Sequence, residues 1–160
     1  MKNIQKLNIS EMKKMLIDNI DDLNENNFLN KLSEKDKELG ASNIRSMANI
    51  ALNSDCYEEF RLFMEYKKVK GQGKGWGTKI NSNQTLADKV IEHLEEIHKQ
   101  FKGNDKEILK WISQYFGYLY WKRVATTEIK LNNNDKNNNR YGSEKTPNRN
   151  NYSASRKGER

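Results

Sequence analysis

From Met1 to Thr146 the chain contains no proline; the only one is Pro147. Every residue before it keeps its backbone N–H and none clashes with the turn behind it, so nothing in that stretch forces a helix to break. Through most of it apolar residues recur at three- and four-residue spacing, the mark of one buried helix face, rather than at the alternation of a strand. The predicted fold is all-α, a compact bundle of about five helices.

The first stripe is Met12, Met15, Leu16, Ile20 and Leu23, with Ser10 as its N-cap and Glu11 behind it. It frays in "NENN", resumes through Phe28, Leu29 and Leu32, and is stopped by Gly40. Ser42 caps a second segment carrying Ile44, Met47, Ala48, Ala51 and Leu52, and Asp55 a third carrying Tyr57, Phe60, Phe63 and Met64. Thr85 caps a fourth, in which Leu86, Val90, Ile91, Leu94, Ile97 and Phe101 keep the spacing as far as Gly103. The fifth begins near Asn104 or Asp105, and adds Trp111, Tyr115, Tyr118, Tyr120 and Trp121 to an aliphatic stripe. So dense an aromatic run predicts burial on more than one side. Beyond Leu131 the chain is polar and asparagine-rich, so residues 1–131 read as one helical domain and 132–160 as a disordered basic tail.

Composition fits one domain. Hydrophobic residues make up 34% of 160, enough for a single modest core. Cys56 is the only cysteine and cannot form an intramolecular disulfide, and the polar start "MKNIQKLNIS" opens no signal-peptide or membrane-spanning run. A cytoplasmic protein without a membrane partner is the expectation.

Catalytic constellations are not visible. His93 and His98 are five residues apart, one beyond the spacing that lets a helix offer two imidazoles to one metal. The glycine-rich "GQGKGWGTK" lacks the frame of a phosphate-binding Walker loop and follows a helical segment instead of a strand. Acid pairs such as Asp21 and Asp22, or Glu95 and Glu96, lie on polar faces where charge is simply solvated. The chain is read as a non-enzyme without metal or cofactor.

The net charge of +7 is unevenly placed. Residues 1–60 carry −3, residues 61–83 carry +5, residues 84–131 carry +1 and residues 132–160 carry +4. A basic loop and a basic tail on a nearly neutral body suit contact with a polyanion, although solubility alone is an equal explanation. In the loop, "KKVKGQGKGWGTK", Lys67, Lys68, Lys70, Lys74 and Lys79 would face phosphates while successive glycines turn amides toward them. Trp76, between Gly75 and Gly77, is either a stacking platform for an unpaired base or a ring tucked onto the protein surface. Arg45 is a phosphate ligand or a solvated arginine.

Three segments, in order, resemble one family. "ASNIRSM" (41–47) is similar to the Thr-Ser-x-Ile-Arg motif of the small subunit of type III-A CRISPR effector complexes, with Ala41 at the threonine and Ser42, Ile44 and Arg45 matching. "FRLFMEYKKVK" (60–70) resembles its Leu-x-Tyr-x-x-Gly-Arg segment, Tyr66 at the tyrosine, Val69 at the glycine and Lys70 at the arginine. "WISQYFGYLYWKRV" (111–124) resembles its closing helix, with Phe116 as an aromatic anchor and Tyr118, Tyr120 and Trp121 where the family mostly has small residues. The resemblance spans about residues 38–131. It implies a helical, non-catalytic subunit in antiviral defence that stacks head-to-tail within a ribonucleoprotein of CRISPR RNA and other effector subunits. Such a subunit would hold target RNA through basic side chains, here Arg45, the loop lysines, Lys122 and Arg123. A free-standing single-stranded nucleic-acid binder or phage-type DNA-binding protein, and a purely structural helical adaptor, remain the other readings of the residues.

Overall fold

Six α-helices and two short 3-10 turns make up most of residues 6–32 and 39–140, the part of the chain described by a computed structural model; side chains are described as far as Thr127, Asn26 excepted. The helices are α1 (Ile9–Leu23), α2 (Phe28–Lys31), α3 (Ala41–Asn53), α4 (Tyr57–Lys70), α5 (Leu86–Gln100) and α6 (Asp105–Arg140). No strand forms among them, and the all-α expectation holds, with α2 a single turn beside five longer helices. No described helix is long and apolar enough to cross a membrane.

Helix starts follow local chemistry, with some shifts from the sequence reading. Asn8, not Ser10, caps α1: its side chain accepts from the Glu11 N–H while the Glu11 carboxylate accepts from the Asn8 N–H, a reciprocal box. Thr85 and Asp88 build the same device at α5, as expected of Thr85. Gly40 has a second role beside the expected one as a stop. It is the N-cap of α3, one residue before Ala41, so Ser42 lies inside the helix. Cys56 caps α4 in place of Asp55. α6 passes Leu131 and reaches Arg140 because neither glycine nor proline intervenes and each added residue closes one more hydrogen bond; the remainder of the expected tail, 141–160, lies outside the described residues.

α6 is the spine. α3 lies along it and makes the most extensive contact in the fold, α1 and α2 pack on it as well, and α4 pairs mainly with α5. The expected stripes are the buried ones: Met12, Leu16, Ile20 and Leu23 from α1, Ile44, Met47 and Ala51 from α3, Leu86, Val90, Leu94 and Ile97 from α5. At the centre, Phe116 of α6 meets the Phe60 ring edge-on at 5.6 Å and the Trp76 ring at 6.0 Å.

That last contact takes Trp76 beyond both expectations, the stacking platform and the ring tucked onto the surface. Residues 71–79 form a series of turns, with Lys74 N–H donating to Gly71 C=O, Gly77 N–H to Lys74 C=O and Thr78 N–H to Gly75 C=O. The series carries Gly75, Trp76 and Gly77 inward against α4 and α5 as a 3-10 turn. Trp76 is 2% exposed. The glycines serve this close approach: a Cβ at Gly77 would lie 2.5 Å from the Lys68 carbonyl oxygen, and one at Gly71 would collide with the Lys74 carbonyl. Leu86 N–H to Thr78 C=O then hands the chain to α5.

One titratable group lies deep in this core. His93 of α5 is 3% exposed, its Nδ1 2.9 Å from the Tyr115 hydroxyl of α6 and its Nε2 3.6 Å from the Asp22 carboxylate of α1. Burial, helped by the nearby Lys89 ammonium, lowers its pKa against the opposing pull of Glu96 and Asp22. Asp22 itself is held below the usual carboxylate range, chiefly by its hydrogen bond from Lys89.

Truncating Trp76 to alanine is expected to cost about 3–5 kcal/mol of stability, as for other buried aromatics. Gly77→Ala should cost upward of about 1 kcal/mol because backbone must move; both are read from urea unfolding followed by circular dichroism. Because the unfolded chain protonates position 93 at higher pH than the folded one, stability should be complete above pH 6.5 and fall as pH drops from 6.5 toward the lowered folded pKa. Melting curves across pH 5–7 should show this loss, flattened in His93→Gln. The Asp22 contribution belongs to a lower window, disappearing only as pH falls below 3.8.

Candidate nucleic-acid interface

The cations singled out from sequence separate by what surrounds them. Lys67, Lys68 and Lys70 end α4, where positive charge also complements the carbonyl end of the helix. Lys68 is committed within the protein: its ammonium lies 2.6 Å from Asp88, and the hydrogen bond spans the loop from α4 to α5. Burial alone would raise the Asp88 carboxyl, but Lys68 and the Thr85 hydrogen bonds outweigh it and hold the group below its ordinary value. Lys67 and Lys70 lie over the rings of Phe63 and Tyr66 at 5.9 and 5.6 Å. Lys74 and Lys79 are exposed and, with Lys70, make no ion pair among the described residues. The folded loop therefore presents Lys70, Lys74 and Lys79 on a frame anchored by Trp76 and by the Lys79–Thr85 bridge.

The neighbouring groove between α4 and α5, about 890 Å³, is a poor seat for an anion: Glu65, Asp88 and Glu92 line it against only Arg61 and Lys68. Near this groove, the outward lysines are the cations left facing solvent without an ion pair among the described residues.

Three of the expected contacts have other surroundings. Trp76 is inside the core and its ring faces cannot receive a base, because the glycines around it allow the backbone to carry it inward. Arg123 is 5% exposed; its Nε donates to Leu39 C=O at 3.1 Å and its Nη1 to Leu29 C=O at 2.9 Å, so it clamps the chain on both sides of residues 30–38 to α6 and is turned away from solvent. Lys122 joins α6 to α1 through Asp21 at 2.8 Å.

Arg45 stands apart from the loop. Its guanidinium lies over the Tyr120 ring at 5.6 Å, in the trough where α3 meets α6. The role of Arg123 had a sequence signal: Ile112, Phe116, Leu119 and Arg123 are spaced as one helix stripe, so the arginine stands at a core position. His93 continues the stripe of Leu86 and Val90 in the same way. Trp76 had none, because periodicity says nothing about a loop.

Arg123→Lys keeps the charge but cannot fork between two carbonyls. Leaving one buried acceptor unmatched should cost about 1–3 kcal/mol in denaturant unfolding.

Set against protein-family models, curated proteins and solved structures, the chain matches no family model, no curated protein and no solved structure.

Proposed function

We propose that the chain is a non-catalytic RNA-binding subunit of a type III CRISPR ribonucleoprotein, holding single-stranded RNA by its phosphates. The observation that carries the RNA contact is the anchored loop: Lys70, Lys74 and Lys79 stay outward and without ion pairs on a segment whose tryptophan is locked inside. Holding such lysines in place lowers the entropy lost when phosphates bind, while each released counterion favours association. The assembly part of the reading rests on the sequence resemblance, whose Arg45 and Lys70 are both at the surface of the helices.

Phosphate contacts position a protein without reading bases. The triple substitution Lys70→Ala, Lys74→Ala, Lys79→Ala should therefore weaken binding to all single-stranded RNA sequences alike. It should flatten the plot of log affinity against log salt by roughly 0.7 for each contact removed. The circular-dichroism spectrum should not change, since none of the three is in the core. A folded triple variant with the wild-type affinity and salt slope would sink the proposal. Tight binding by the isolated chain would instead favour a free-standing single-strand binder, because one stacked subunit offers few phosphate contacts and gains affinity only from its neighbours.

A further inference from the structure

Where α3 crosses α6, an open groove of about 450 Å³ has no acidic residue in its walls. α6 contributes Lys110, Gln114, Gly117 and Trp121, spaced so that they share one face of the helix. α3 contributes Arg45, Asn49 and Leu52, again on one face. Trp121 is 64% exposed and Leu52 58%, large apolar surface left in water, with Trp121 meeting the Tyr118 ring of its own helix. Gly117 leaves the floor between them bare: a Cβ built there would meet nothing within 4 Å.

The chemistry of this groove differs from that of the lysine loop. An exposed indole offers a flat π face, the amides of Asn49 and Gln114 offer both donors and acceptors, and a cation stands in each helix wall. Lys110 has only a loose contact with Glu107, at 3.9 Å with most of its side chain in solvent, and Arg45 makes no ion pair among the described residues. A packed helix from another protein would bury these cations and amides without partners on an apolar face, at a cost. A nucleotide satisfies all of them: the base takes the indole and the amides, and its phosphates take the guanidinium and ammonium.

We infer that this groove binds one unpaired nucleobase of a single-stranded RNA, stacked on Trp121, with its flanking phosphates on Arg45 and Lys110. The inference rests on the RNA-binding reading and adds to it a base-contacting site separate from the lysine loop. Trp121 does for the bound strand what the buried Trp76 cannot.

The test uses the full chain and labelled oligomers of about 12 nucleotides, within the footprint range of small single-strand binders. One oligomer carries bases, and its partner is the same sugar-phosphate backbone with abasic sites. Trp121→Ala should weaken binding of the base-bearing oligomer about five- to 150-fold and leave the abasic affinity and the salt slope unchanged. Trp121→Phe, which keeps a ring, should retain most of the affinity. Tryptophan fluorescence of the wild-type chain should be quenched by the base-bearing oligomer, and that quenching should be absent in Trp121→Phe. Salt-dependent binding that is equal for both oligomers and indifferent to Trp121→Ala overturns the groove and leaves the lysine-loop reading standing. No salt-dependent binding of either oligomer overturns both. Trp121→Ala that lowers the sedimentation coefficient without touching RNA affinity assigns the groove to contact between copies of the chain, and overturns the inference as well.

Discussion

The described fold turns on Trp76. A loop with four glycines and five lysines between residues 67 and 79 cannot hold itself together by its own burial, since glycine has no side chain to pack and lysine resists desolvation. One indole driven between α4, α5 and α6 supplies what the loop lacks, and the edge-on contact with Phe116 places it at the meeting point of the three. The glycines follow from that placement. Sending a tryptophan inward from a short connection presses the backbone at Gly71 and Gly77 against the carbonyls of Lys74 and Lys68, where a methyl group does not fit. The composition that suggests mobility is here the composition needed for close packing.

The same contact sorts the charges. With the loop anchored, Lys68 is within reach of Asp88 and becomes part of the joint between α4 and α5, while Lys70, Lys74 and Lys79 are left facing water. Lys122 and Arg123, adjacent in sequence, diverge for the same kind of reason. A helix turns about 100° per residue, so one of them reaches Asp21 at the partly exposed edge and the other enters the core to hold two carbonyls. A local excess of positive charge therefore overstates how many cations are left without an internal partner.

Much of the fold was legible in the sequence. The apolar stripes of α1, α3 and α5 are the buried ones, and the Thr85 cap with Asp88 three residues on is a signal that needs no tertiary information. What was not legible depends on contacts distant in sequence. Gly40 looks like a helix stop because glycine is common there, yet it is also the N-cap of α3, between the buried Leu39 and Ile44. Of the candidate site, the three outward lysines and Arg45 could be read from residue type and position. The inward turn of Trp76 could not, because it requires Phe116, forty residues further along the chain.

α6 shows how one helix can mislead a reading by period. Its inward stripe is Ile112, Phe116, Leu119 and Arg123, and its groove stripe is Lys110, Gln114, Gly117 and Trp121, the same spacing displaced by two residues. Two residues turn the helix by about 200°, so the stripes lie on nearly opposite sides. Aromatic rings on both sides blur the contrast between an apolar and a polar face, and the run from Trp111 to Trp121 predicts burial on more than one side, whereas the fully covered residues share one side and Trp121 is exposed. The inward stripe answers to the core, and each of its residues is held by neighbours. The outward stripe is only partly covered within the described residues: Trp121 meets the Tyr118 ring at 5.5 Å on its own helix, and a Cβ at Gly117 would touch nothing within 4 Å. An indole kept largely in water beside a bare glycine gives up the burial that the inward stripe obtains, so period alone cannot tell the two stripes apart.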